Sequence, residues 1–128
     1  MKLAKMFVLV IVVAAMLGCV SGPDAKKRVA DPEQAFAQHI KLAMKYIGVK
    51  NRDLARVHLE KAANFDSKAT RSKLNNGYAL LYQMEQEMVL AESHYRKAIA
   101  RDKTDSMARY NFSAFLFNQG RFKESLKE

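Results

Sequence analysis

From Glu33 to the end of the chain, apolar residues return three and four positions apart, as in Ile40, Met44 and Ile47, with polar residues between them. That spacing keeps one stripe of a 3.6-residue helix apolar and predicts helices rather than strands. Six segments follow, at about 33–48, 52–65, 70–84, 87–101, 105–118 and 121–128. The connectors between them are as short as helix hairpins require. Asp31-Pro32-Glu33 supplies the first start signal: a capping carboxylate, a proline at the first helical position and an acid in the first turn. Gly120 separates the fifth helix from the sixth. The expected fold class is all-α.

The helices repeat. Leu42-Ala43-Met44-Lys45-Tyr46 returns 36 residues later as Tyr78-Ala79-Leu80-Leu81-Tyr82. Ala55, Leu59, Lys61, Ala62, Ala63 and Asp66 return as Ala91, Tyr95, Lys97, Ala98, Ile99 and Asp102. A period of this size marks stacked helical units, each burying its apolar face only against its neighbours. Ala43, Ala55 and Ala62, then Ala79, Ala91 and Ala98, stand where helix axes must approach closely, and Tyr46 and Tyr82 fill the larger gaps. The pattern resembles the tetratricopeptide repeat, a helix–turn–helix unit of about 34 residues. One unit begins near Phe36, a second near Ser72 and a third near Ser106, which carries Phe112-Ser113, Leu116, Gly120 and Ser125. The two-residue excess falls near Thr70-Arg71; His39 replaces the usual Trp, and Ser67 and Lys103 replace the usual helix-ending Pro. The resemblance implies a helical solenoid of two full repeats and a truncated third. That third unit reaches Glu128 inside its second helix with no polar capping helix, so further repeats are expected beyond it.

The N-terminus belongs to something else. Lys2 and Lys5 precede an apolar run from Met6 to Leu17, followed by Gly18-Cys19. These are the parts of a secretory signal, and the run is shorter than the roughly 20 residues that span a bilayer as a helix. Met16-Leu17-Gly18-Cys19 resembles the bacterial lipoprotein cleavage box, with Met16 in place of the more usual Leu. The resemblance implies cleavage before Cys19 and acylation of its thiol, an anchor that gains about 0.8 kcal/mol per buried methylene. Cys19 is the only cysteine, so no disulfide partner competes for it. The expected organisation is a signal peptide over 1–18, a lipidated tether over 19–32 and a repeat domain over 33–128. Val20 follows the cysteine where Asp would retain a lipoprotein at the inner membrane, so the resemblance implies the outer membrane, facing the periplasm.

The net charge is +9 with a pI near 9.8, and removing Lys2 and Lys5 with the signal leaves about +7. Only Lys26-Lys27-Arg28 forms a basic run, beside the anchor; elsewhere cations alternate with acids and apolar residues as on solvated helix faces. Attraction to anionic headgroups suits this distribution, and nucleic acid is not an expected partner. Catalysis finds no support. His58 and His94 share a repeat position, which places them on neighbouring second helices about 8–10 Å apart, too far for one zinc; both read as surface histidines. His39 stands where the family puts an aromatic, so packing explains it. No Gly-rich phosphate loop, serine elbow or Cys/His pair exists. The chain is expected to be no enzyme and to take no cofactor, metal or small-molecule substrate. Asn76-Gly77 falls inside a helix, where the glycine marks either close approach of a neighbour or ligand, or a tolerated cost of about 1 kcal/mol. Asn111-Phe112-Ser113 matches a glycosylation sequon, without consequence in a bacterial lipoprotein.

A groove remains. The first helix of each pair should line the concave face with Ile40, Met44 and Ile47, then Asn76, Leu80, Gln83 and Met84, then Met107, Tyr110, Asn111, Ala114 and Phe117. Aliphatic, methionine and aromatic surface with a few amides suits an extended or helical peptide. The alternative is that many of these side chains pack against one another or against further repeats.

Two segments narrow the choice: Leu90-Ala91-Glu92-Ser93-His94-Tyr95-Arg96-Lys97-Ala98 and Tyr110-Asn111-Phe112-Ser113-Ala114-Phe115-Leu116-Phe117-Asn118-Gln119-Gly120-Arg121-Phe122. With the cleavage box and the short tether, they resemble the PilF/PilW family of outer-membrane lipoproteins of type IV pilus biogenesis, often called pilotins. The resemblance implies six repeats and a scaffold that helps localise or multimerise the secretin, whose subunit would be the protein partner. Tyr110 stands where members often carry the first Asn of a pair, and Ser113-Ala114 replaces a small Gly pair. The rival readings are a generic lipid-anchored repeat adaptor in envelope assembly or secretion, and the N-terminal part of an enzyme.

Overall fold

A computed structural model describes residues 31–68 and 70–127. The signal peptide, Cys19 and the tether up to residue 30 lie outside the described residues. Six α-helices follow in order: α1 (Pro32–Gly48), α2 (Arg52–Ala63), α3 (Arg71–Met84), α4 (Met88–Arg101), α5 (Ser106–Asn118) and α6 (Phe122–Ser125). The chain is all-helical over the described residues, as its apolar spacing predicts. Two ends differ. Helix α2 stops at Ala63 because Phe65 turns back to lie against the first core cluster, its ring 6.2 Å from that of His39. Helix α6 is a single turn that ends at Ser125.

Short polar side chains start three of the helices. Asp31, Asn51 and Asp105 each accept a first-turn backbone N–H, from Glu33, Leu54 and Ala108, at 3.0, 3.1 and 3.0 Å. Each such cap stabilises its helix by about 1 kcal/mol. Asp105 does a second job, because its other oxygen accepts from the buried Ser72 hydroxyl at 2.8 Å and so ties the start of α5 to α3.

The turn inside each repeat is built the same way three times. Lys50, Gln86 and Gly120 all have left-handed backbone, with φ of 58°, 64° and 74°. In each, the next residue's N–H reaches back to a carbonyl in the last turn of the helix: Asn51 to Tyr46, Glu87 to Tyr82 and Arg121 to Leu116, all at 2.9 Å. This six-to-one bond satisfies an otherwise orphaned helix-end carbonyl and reverses the chain sharply enough to make a hairpin.

The hairpins stack. Helix α3 packs on α1 and α2 of the preceding unit, and α5 packs on α3 and α4. Ala43, Ala55, Ala62, Ala79, Ala91 and Ala98 are all fully buried, so the alanines predicted to stand at helix crossings do so. The large buried side chains come from elsewhere than predicted: Leu59, Leu81, Tyr95, Phe112 and Leu116 fill the gaps. Tyr46 and Tyr82 are half-buried, pack against the first and second core clusters respectively, and also lie against the rings of His58 and His94. Gly77 is the closest approach of all. A Cβ there would lie 2.6 Å from Leu59 Cδ2, so the glycine is required by a neighbouring helix and the alternatives left open by the sequence are decided.

Candidate functional site: a graded concave face

Helices α1, α3 and α5 lie side by side and carry the residues that the repeat phase assigns to the groove. The strip changes character along its length. Ile40, Ile47 and Met84 are half-buried against the first core cluster, and Leu80 packs against the second. Met44 is half-buried beside Gly77. Asn76 is almost wholly buried, and its Oδ1 accepts from Asn111 Nδ2 at 3.1 Å, an amide pair that ties α3 to α5. Gln83 is held by the Tyr95 hydroxyl, which donates to its Oε1 at 2.8 Å. Burial pushes the Tyr95 phenol far above its ordinary value, so it stays a donor. Ala114 is half-buried. Only the last repeat presents its strip openly: Met107, Tyr110 and Phe117 are 62%, 71% and 59% exposed.

Hollows lie at both ends of this face. A cavity of about 230 Å³ between α1 and α3 has Phe36, Ala37 and Ile40 in its wall and Glu33, Lys41, Thr70 and Lys73 around it. Near α5, a hollow of about 480 Å³ is lined by Lys103, Thr104, Ser106, Arg109, Tyr110 and Ser113. A neighbouring one of about 280 Å³ is lined by Tyr110, Ser113, Ala114, Phe117, Asn118 and Ser125. Tyr110 stands in both. An apolar wall edged by two lysines, one acid and a threonine can take an apolar side chain with a polar or charged neighbour. The groove expected from the repeat phase left out Lys41 and Lys73. The signal was available in the repeat phase, since Lys73 stands 36 residues after Ala37 on the same helix face.

The histidines are not surface residues. His39 and His58 meet across the α1–α2 hairpin with their Nδ1 atoms 3.0 Å apart, and His58 stacks on Tyr46 at 5.4 Å. His94 Nδ1 donates to Asn75 Oδ1, also at 3.0 Å, between the rings of Tyr78 and Tyr82. Burial lowers the proton affinity of both His58 and His94, helped by His39 and Lys61 in the first case and by Lys97 in the second. The reason for the misreading is that a helix-phase argument places each histidine on its own helix but not the partner it finds on the helix opposite. Among the described residues, no three His, Cys, Asp or Glu side chains gather as a metal site, and no helix is long and apolar enough to cross a membrane.

No protein-family profile matches the chain. The type IV pilus assembly protein PilF of Pseudomonas aeruginosa strain PAO1 is 30% identical over 112 residues, which cover 86% of this chain and 44% of PilF. A solved structure from the functional characterization of Pseudomonas aeruginosa PilF superposes with a TM-score of 0.68 at 30% identity, covering 75% of this chain and 42% of that one. The chain therefore spans less than half the length of the relatives it matches. Sequence and backbone agree: over these residues the chain is similar to PilF, and its fold is the all-helical tetratricopeptide-repeat type.

Proposed function

We propose that the chain is a non-catalytic docking scaffold of type IV pilus assembly, anchored to the outer membrane through a lipid on Cys19, which holds the secretin subunit on its concave face during localisation or multimerisation. The likeness to PilF supports the pilus assignment. The observation that carries the docking role is the exposed apolar strip of Met107, Tyr110 and Phe117, set between hollows and continuous with the amide pair of Asn76 and Asn111. Exposed aromatic and methionine side chains around a concavity are the usual anchors of protein recognition. Lipidation rests on the cleavage box and on Cys19 being the only thiol.

The test uses a deletion strain. Loss of the gene abolishes twitching and secretin multimers, and the wild-type chain restores both. Tyr110→Ala with Phe117→Ala folds normally but fails to restore them. Cys19→Ala moves the protein out of the outer-membrane fraction. Normal secretin rings in the deletion strain would overturn the assignment, and unchanged fractionation of the Cys19 variant would overturn the anchor.

A further inference from the structure

The 36-residue echo reaches the histidines in a way that assigns their protons. His39 and Asn75 occupy one repeat position, and His58 and His94 occupy another. Both repeats bridge their two helices at this place with a 3.0 Å contact: His58 Nδ1 to His39 Nδ1 in the first, His94 Nδ1 to Asn75 Oδ1 in the second. In the second repeat the roles are fixed. Asn75 Nδ2 donates to the Arg71 carbonyl at 2.8 Å, which sets the amide's orientation and leaves Oδ1 as an acceptor. His94 Nδ1 must then carry the hydrogen. By repeat equivalence the donor role in the first repeat falls to His58, with the His39 ring nitrogen in the place of the amide oxygen.

The two acceptors differ in one respect. An amide oxygen accepts at any pH in the physiological range, whereas an imidazole nitrogen accepts only while it is unprotonated. The gap between two Nδ1 atoms 3.0 Å apart holds one hydrogen; a second places two donors, and two positive rings, face to face. The ring centroids are 5.3 Å apart, the separation reached when the two nitrogens point at each other, so the contact is a hydrogen bond and not a chelate open to a shared metal.

We propose that the His39–His58 contact is a proton-gated clasp of the first hairpin, closed at neutral pH and opened by mild acid, with no counterpart in the second hairpin. Opening loosens α1 from α2, and α1 carries Ile40, Met44 and Ile47. The surroundings favour this. The groups that act on His58 are His39 from α1 and Lys61 from its own helix, both of which oppose its charge after burial has done so. Tyr46 from α1 covers the His58 ring, and Phe65, at the end of α2, covers that of His39. None of the groups that act on His58 comes from α3, which packs on the same hairpin. A charged His58 keeps its Nδ1 hydrogen and still donates to a neutral His39, so the clasp opens only when both rings are charged. Burial, His39 and Lys61 all oppose charge on His58, so the folded state takes up fewer protons at this pair than the unfolded chain does. Stability is full above the ordinary histidine value of about 6.5 and falls as the pH drops through it. His94 also titrates low, but its charged ring still donates to Asn75.

The experiment compares the wild-type protein with His39→Asn, which copies the second repeat's residue into the first, and with Asn75→His, which does the reverse. Between pH 7.5 and 5.0 the wild-type thermal midpoint falls by about 4–8 °C more than that of H39N, the shift expected for losing a contribution the size of one hydrogen bond in a domain of this size. N75H falls further than wild type. Long-range ¹⁵N correlation spectra at pH 7.5 show hydrogen on Nδ1 of His58 and none on Nδ1 of His39. Equal falls for H39N and wild type overturn the proposal, as does a hydrogen on His39 Nδ1 at neutral pH. The stability arm is independent of the groove's docking role; only the consequence for partner binding rests on it.

Discussion

Gly77 shows how much one missing methyl group decides. Its Cα faces Leu59, which is fully buried, and the Cβ of any other residue would stand 2.6 Å from a Leu59 methyl. In the interior of α3, Ala is worth about 1 kcal/mol more than Gly from helix propensity alone. Overpacking costs about 1–3 kcal/mol, and the Leu59 side chain that must give way is fully buried. Gly77→Ala should therefore destabilise the protein by about 1 kcal/mol net. In a Leu59→Ala background, where the obstructing methyl is gone, the same substitution should stabilise it by a few tenths to about 1 kcal/mol. Urea unfolding of the four proteins checks the change of sign. If G77A costs the same in both backgrounds, the glycine is not there for Leu59.

At the scale of the elements, the repeated left-handed turn makes a second prediction. Lys50 and Gln86 occupy the conformation that Gly120 occupies in the third repeat. A side chain in that region costs about 1–2 kcal/mol, while glycine loses about 0.5–1 kcal/mol through its freer unfolded chain. Lys50→Gly and Gln86→Gly should each raise stability by about 0.5 kcal/mol, and Gly120→Ala should lower it by about 1 kcal/mol. Nothing lies within 4 Å of a Cβ at Gly120, so any loss there is conformational and not a clash. Thermal midpoints that move the opposite way for both K50G and Q86G would show that these turns are unstrained. These turns also mark where the sequence stops being legible. The helices could be read because burial imposes a 3.6-residue period on the apolar positions, and Asp31 and Gly120 announce their own roles. Lys50 and Gln86 announce nothing, because their backbone is set by the helix-end bonds that Asn51 and Glu87 make and not by their own side chains. The groove was legible in phase but not in depth: the repeat places Asn76 and Gln83 on the concave helices, while only the structure shows Asn111 and Tyr95 holding them.

For the molecule as a whole, the order of the repeats is written in charge. Arg56 on α2 donates to both oxygens of Glu85 at the end of α3, at 2.7 Å each. Thirty-six residues on, Glu92 on α4 receives Arg121 after α5, at 2.6 and 3.1 Å. The positions are equivalent and the signs are exchanged, which is why a search for similarity passes over them. Each pair ties the second helix of one repeat to the turn of the next. Were the third repeat's turn to dock on the first repeat's second helix, Arg56 would face Arg121. The side chains are partly exposed, 39% and 19% for the first pair and 33% and 25% for the second, so solvent screens both latches and each is weak. The hydrogen bonds from Arg121 hold the Glu92 carboxyl below the usual range. The second latch is therefore intact above about pH 4.5 and is lost only as the pH falls below it. Glu92→Arg alone should lower the urea midpoint, and adding Arg121→Glu should recover part of the loss, with a coupling that shrinks in 1 M salt. Strict additivity would remove the latch from the account. The doubly exchanged chain carries Arg–Glu at both junctions, so its repeats can dock out of order without meeting like charge. After refolding at high concentration it should give more domain-swapped dimer by size-exclusion chromatography with light scattering than the wild type does.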